Sequence, residues 1–373
     1  MRCRLAGLGE TDLRGVRLLD TVPPKSETRL KIDRMSNKTT SSQTSARLWS
    51  WLQAFGPLLA LVVVTLGFAV ADQVWGAGHF SELRNFRVVL VQAAPVAVAA
   101  LGMTLIIISG GIDLSAGTAS TLCATVLAIS LSAERSAAEA VLLTLAAGAA
   151  CGMINGLLIG LLRIPPFIVT LGTMTIFLGI AKRLAGGSTV FVERRLLPDW
   201  LSTLSSTMPP DWQGGFPRIA TGVWLAIGIA ILVSIVLRYT VFGRHLFALG
   251  SNESTARLCG VNILGTKVIV YVLGGLLIGI AGIYSFSLVK VASPIEGIGR
   301  ELKYIAAVVI GGGSLSGGRG SVLGTLAGAA IMGVIASGCS QLEIQNSTQD
   351  IMIGVIIIAA VTLDQFRSRN QNN

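Results

Sequence analysis

Long apolar segments recur along this 373-residue chain and constrain its fold more than any other feature. We predict spans at about 54–75, 88–109, 114–132, 140–162, 167–185, 219–238, 267–289, 303–313, 321–339 and 351–365. Several of them approach the ~20 residues that a helix needs to cross a bilayer. Inside lipid, only helices and closed barrels satisfy every backbone hydrogen bond, and these runs do not alternate as barrel strands do. We therefore predict an all-α polytopic membrane protein with about ten transmembrane helices.

The polar ends of the chain lie outside this predicted bundle. Residues 1–47 form a basic tail without an apolar signal segment, and their composition predicts disorder. Met35 begins a run suited to a translation start, so 1–34 is interpreted as a gene-start artefact or a dispensable extension. We assign 48–366 to the transmembrane domain and 367–373 to a short C-terminal tail.

An even number of spans places both chain ends on the same side of the membrane. With the basic tail inside, segment 239–266 lies inside and loop 186–218 lies outside. Beyond the tail, eight Lys or Arg residues fall inside and eleven outside, so only the tail favours this orientation. We expect both termini to be cytoplasmic.

Two glycine-rich turns follow Ile-rich spans in the two halves of the chain. The spans at 303–313 and 351–365 are short, which is compatible with extension, tilting or a partly re-entrant path. The similarity of the two turns suggests an internal two-half repeat around a central pathway. The candidate helix-break residues near that pathway are Gly110, Gly111, Asp113, Ser115, Gly311, Gly312, Gly313 and Ser314.

Asp113 has two compatible interpretations. A carboxylate beside two apolar runs is costly unless it has a role. It can accept N–H bonds as the cap of the next helix, or the break that contains it can line the solute path.

No catalytic, cofactor or metal site is predicted. The chain has two histidines, and its five cysteines contain no C-x-x-C pair. It also lacks the G-x-x-x-x-G-K-[ST] phosphate loop, which an ATP site of that type requires. The net charge of +10 suits cytoplasmic loops and anionic lipid, so we predict no nucleic-acid partner.

The segment 248–262 is polar, although long apolar runs flank it on both sides. It must therefore leave the lipid. Together with the nearby Arg244 and His245, Glu253 and Arg257 form a charged surface in water to which a partner can bind. This pattern favours a membrane subunit driven by a partner over a self-contained channel.

Residues from about 48 to 366 resemble the permease of ribose-type (pentose and hexose) ABC sugar importers. The resemblance rests on Ser109–Ser115, Gly250–Asn262 and Ala306–Gly320, which match in order, spacing and placement between spans. The chain departs from the usual Gly-Gly-Thr-Ser, because Gly312-Gly313-Ser314 follows a third glycine, Gly311.

The resemblance implies a bacterial inner-membrane subunit. A second permease copy or a paralogue would pair with it, together with two ABC ATPase subunits that bind ATP and Mg. A periplasmic sugar-binding protein would deliver the solute. The residues that the resemblance assigns to coupling with the ATPase are Gly250, Asn252, Glu253, Ala256, Arg257 and Gly260.

The function that follows is import of a monosaccharide, such as ribose or a related pentose or hexose, by alternating access. The same importer type for a nucleoside, an autoinducer furanose or an amino acid is the alternative. A stand-alone secondary transporter is a further one, although the spans are poor in the Asp, Glu and His residues of a coupling-ion site. A membrane enzyme would need a cluster of polar catalytic groups, and none is evident.

Overall fold

The computed structural model describes residues 56–206 and 219–372, with side chains up to residue 362. The predictions for 1–47, including 1–34, lie outside the described residues. The helices are α1 (Gly56–Trp75), α2 (Leu83–Ile108), α3 (Ala116–Ser132), α4 (Ala137–Leu162), α5 (Pro166–Leu184), α6 (Asp199–Leu204), α7 (Thr221–Tyr239), α8 (Val241–Ser251), α9 (Glu253–Leu258), α10 (Ile263–Val289), α11 (Arg300–Ile310), α12 (Val322–Gln341) and α13 (Asn346–Asn372). Two short strands, β1 (Val190–Phe191) and β2 (Val291–Ala292), and a 3-10 turn (Arg194–Leu196) complete the described elements.

The prediction of an all-α polytopic membrane protein is confirmed. In the described part of the chain, seven helices are long and apolar enough to cross a membrane, and two shorter apolar helices accompany them. Each of the ten predicted spans falls on a helix. The eighth span is the shortest, because α11 has only 11 residues, which is about 16 Å of helix and half of a hydrocarbon core.

Helices α4 and α10 form the largest packed pair, and small residues bring them together. A Cβ built at Gly148 would lie 2.4 Å from the carbonyl oxygen of Gly275, and one built at Gly152 would lie 2.0 Å from that of Tyr271. As the contacts advance along α4 they recede along α10, so the two helices are antiparallel. Small residues at such spacings let membrane helices pack closely without the hydrophobic effect that drives packing in water.

The ends of the helices define two faces of the bundle. The strands that follow α5 and α10 pair antiparallel, with Val190 opposite Ala292 and Phe191 opposite Val291, and we call this end the β-ribbon face. Because α10 begins at the opposite end, the α8 and α9 helices that precede it lie on the other side, which we call the α8–α9 face. No pattern in the sequence predicted these two-residue strands.

Candidate functional site

The polar segment folds into two short helices, α8 and α9, and a capping side chain begins each of them. The Thr240 hydroxyl accepts from the Gly243 N–H at 3.1 Å and begins α8. The Asn252 side chain accepts from the Thr255 N–H at 2.8 Å and begins α9. Side-chain caps satisfy backbone donors that a helix start leaves free, so each joint has a defined geometry. The segment is therefore a pair of consecutive short helices with a bend at Asn252, rather than an open loop.

Gly260 ends α9. Its φ of +84° lies in the left-handed region, which glycine adopts without strain. The Gly260 N–H donates to the Arg257 carbonyl, and the Val261 N–H donates to the Ala256 carbonyl, both at 3.1 Å. This pair of hydrogen bonds is a Schellman motif. Ala256 faces inward and is buried, whereas Asn252 and Glu253 are exposed.

Glu253 joins α9 to the first turn of α10. Its carboxylate accepts from Arg257 at 3.1 Å and from Lys267 at 2.8 Å. The hydrogen bond from Lys267 lowers the pKa of the Glu253 carboxyl, partial burial opposes this, and the charges of Lys267 and Arg257 add to it. The carboxylate thus stays charged and holds both cations.

Gly250 is the point at which segment 248–262 packs against the bundle. A Cβ at this position would lie 1.7 Å from the Ile108 carbonyl oxygen and 2.6 Å from the Gly318 nitrogen. The Gly318 N–H itself donates to the Ile108 carbonyl at 2.9 Å. A Cβ at Gly317 would lie 3.0 Å from the Cα of Gly110. The three motifs that the sequence analysis singled out therefore meet at one place on the α8–α9 face.

The two glycine-rich turns share one local structure. In the first, the N–H groups of Gly110 and Gly111 donate to the Ile107 and Ile106 carbonyls. In the second, those of Gly312 and Gly313 donate to the Val309 and Val308 carbonyls. Gly110 and Gly312 have φ values of +81° and +88°, so they are equivalent positions in two Schellman motifs. The predicted similarity of the two turns is therefore present in their backbone, with Gly110 corresponding to Gly312.

Gly311 and Ser314 form tight backbone contacts within the second turn. A Cβ on Gly311 would lie 2.4 Å from the Gly324 carbonyl carbon, so the end of α11 packs directly on the start of α12. The buried Ser314 donates its backbone N–H to the Arg319 carbonyl at 3.2 Å. These residues hold the turn that contacts Gly250.

Asp113 lies in a buried polar network rather than at a helix cap. Its Oδ1 accepts from the Ser115 N–H at 2.8 Å and from the Ser115 hydroxyl at 2.6 Å, whereas α3 begins only at Ala116. The Asn155 amide of α4 donates to the Ser115 hydroxyl at 2.8 Å and accepts from Thr173 of α5 at 2.7 Å. The network ties the segment after the first turn to two neighbouring helices.

Sequence reasoning missed several of these partners. Asn155 and Lys267 are polar residues in or beside apolar spans, and such residues are a signal that the sequence offered. Gly317 and Gly318 gave no signal of their own, because their role depends on contact with Gly250.

A groove on the surface lies beside the α9 helix. It has a volume of about 590 Å³ and lies between the α4–α5 turn and the start of α10. Arg163, Glu253, Arg257 and Lys267 line it, so its charged groups are mainly positive.

The fold and this site define a polytopic membrane protein with an exposed helical segment at 248–262. The family profile described as "branched-chain amino acid transport system / permease component" matches residues 85–361. The ribose import permease protein of Escherichia coli K12 is 36% identical over 333 residues, which are 87% of this chain and 98% of that protein. The fructose import permease protein of Rhizobium meliloti is 32% identical over 314 residues, 83% of this chain and 84% of that protein.

A third relative is the autoinducer 2 import system permease protein of Photorhabdus luminescens, 32% identical over 286 residues, 77% of this chain and 83% of that protein. No solved structure matches the chain. The chain belongs to the ribose-type family of ABC-importer permeases, and it is a multi-pass inner-membrane protein.

Proposed function

We propose that this chain is the permease subunit of an ATP-driven, binding-protein-dependent importer of a monosaccharide such as ribose or a related pentose or hexose. A separate ABC ATPase subunit hydrolyses ATP with Mg, and a periplasmic sugar-binding protein delivers the sugar. A second permease copy or a paralogue completes the membrane part. The α8–α9 face is cytoplasmic, and the ATPase contacts it through Asn252, Glu253 and Arg257.

The observation that carries this proposal is the seating of Gly250 against Ile108 and Gly318. The contact leaves no room for a side chain, so α8 cannot move toward Ile108 and Gly318 without displacing the end of α2 or the turn before α12. Packed elements of this kind have discrete arrangements and do not deform continuously. A partner that pushes α8 toward this junction can therefore bias the bundle between two states.

The sugar class is supported by the relatives with high coverage, which are named for ribose and fructose import. The neutral character of a sugar also agrees with the few charged residues of the long helices, since α10 carries only Lys267 and α12 carries none. The relative named for autoinducer 2 import keeps a furanose-like solute as the second candidate.

The test is sugar uptake by the chain assembled with the ATPase and the binding protein of its own gene cluster. The double variant Glu253→Ala/Arg257→Ala removes the charges that the partner would grip and frees α9 from α10. We expect uptake to fall at least about tenfold, which corresponds to 1.4 kcal/mol of lost coupling.

Ser254→Ala is the matched control, because Ser254 is an exposed residue of the same helix. Uptake by this variant should equal that of the wild type. Equal uptake by the double variant would contradict the assignment of Glu253 and Arg257 as residues that contact the ATPase. If the wild type binds no ATPase and moves solute on an ion gradient, the importer assignment itself fails.

A further inference from the structure

A second cavity lies in the other half of the bundle, near the β-ribbon face. Its volume is about 370 Å³, and helices α2, α10, α11, α12 and α13 form its walls. That volume is at the small end of the range of about 300–1,000 Å³ found for small-molecule sites. The polar groups that matter here are Gln92, Ser285, Arg300, Lys303, Asn346 and Gln349, all in its lining.

The two cations of this cavity are already paired. Arg300 at the start of α11 donates to the Ser285 hydroxyl and to the Glu296 carboxylate. Lys303 lies 4.0 Å from the carboxylate of Asp350. The cavity therefore has no uncompensated charge from these groups to attract an ion, and its amides and hydroxyl offer both donors and acceptors.

Gln92 provides an acceptor that the protein does not use. Its Oε1 is buried and has no hydrogen-bond partner among the residues that the structure describes. A buried acceptor left without a partner destabilises the protein, because it has lost its hydrogen bonds to water. A hydroxyl group in the cavity would remove that cost, and a neutral solute with several hydroxyl groups would meet the surrounding amides as well.

We propose that this cavity is the entry site for a neutral polyhydroxylated solute of monosaccharide size, with Gln92 accepting a hydrogen bond from a solute hydroxyl. The proposal rests on the importer function above and adds the residues that contact the solute. Arg300 is a positioning residue, because its bonds to Ser285 and Glu296 fix the start of α11 in the cavity wall.

The first experiment measures uptake of radiolabelled D-ribose and D-fructose by the full assembly. Gln92→Leu keeps the approximate volume and removes the acceptor, so we expect KM to rise about fivefold to tenfold. Gln92→Asn retains an amide and should recover part of the loss. Gln73→Leu is the same exchange at an exposed glutamine of α1, and it should leave KM unchanged.

The second experiment does not depend on how Gln92 variants fold. Asn346→Cys places a thiol in the cavity wall, and an impermeant maleimide is applied to spheroplasts that carry the assembly. Saturating sugar with the binding protein should slow the labelling at least about fivefold, since bound solute covers the thiol.

The outcomes separate this inference from the importer function. ATP-driven uptake by the wild type, with an unchanged KM in Gln92→Leu and no protection of Asn346→Cys, would overturn the cavity assignment and leave the importer function standing. Absence of ATP-driven uptake of either sugar by the wild type would overturn both.

Discussion

Glu253 shows how one side chain can link a short surface helix to a long helix of the bundle. It binds Arg257 within α9 and Lys267 in α10, so the two ion pairs favour one orientation of the short helix relative to the long one. Exposed ion pairs are weak, about 0.2–1 kcal/mol each. Their value here is geometric, because they fix the angle at which α9 meets a partner.

The first prediction concerns the pH dependence of this contact. The pKa of Glu253 is lowered in the folded chain, so its contribution to stability is present above the unfolded value of about 4.3. It is lost as the pH falls through the lower folded pKa. Glu253→Gln should therefore lower the thermal unfolding temperature slightly at pH 7 and leave it equal to that of the wild type in stronger acid.

Thermal unfolding in detergent at both pH values checks this, with Ser254→Ala as the control. A Glu253→Gln variant as stable as the wild type at pH 7 would show that the two ion pairs contribute nothing.

The sequence predicted some of these residues and missed others for a physical reason. Asn252, Glu253 and Arg257 stood out because polar residues between apolar runs must lie in water. Lys267 was counted only as a basic residue, since its pairing with Glu253 requires a turn of chain that no local pattern specifies. Asn155 likewise acts only through contact with Ser115 and Thr173.

At the scale of helices, the largest packed pair within the bundle is that of α4 and α10. Glycines on both helices put backbone against backbone, and the contact between Gly152 and Tyr271 leaves no space for a methyl group. Dispersion between closely packed atoms drives association in lipid, so this contact cannot be traded for larger side chains.

We predict that Gly152→Leu disrupts the fold. Overpacking costs typically about 1–3 kcal/mol, and here the obstruction is backbone rather than a flexible side chain. The yield of monodisperse protein and its unfolding temperature should both fall. Gly172→Ala in α5 is the control, because a Cβ there meets nothing within 4 Å. A well-folded Gly152→Leu protein would show that α4 and α10 pack differently.

Apolar length predicted where the helices are but not where they end. The ends depend on caps such as Thr240 and Ser321, and on Gly110 and Gly312, whose left-handed φ values become visible only in the structure. The predicted span at 303–313 and α11 (Arg300–Ile310) both have 11 residues, but the helix lies three residues earlier, because it ends at the turn that Gly311 and Gly312 form.

At the scale of the whole molecule, residues far apart in sequence meet at the α8–α9 face. Ile108, Gly250 and Gly318 come from the two glycine-rich turns and from segment 248–262, and together they form one junction. No periodicity predicts this junction, since it arises only when the bundle is assembled. The resemblance to ribose-type permeases indicated each motif, and the structure explains why they occur together.

The most direct test of the account is ATP-dependent sugar uptake in proteoliposomes that contain the chain, its ATPase and the binding protein. We predict that uptake of D-ribose or a related sugar requires hydrolysable ATP and persists when an ionophore collapses the proton gradient. Uptake by the chain without its ATPase, driven by an ion gradient and abolished by the ionophore, would contradict the account.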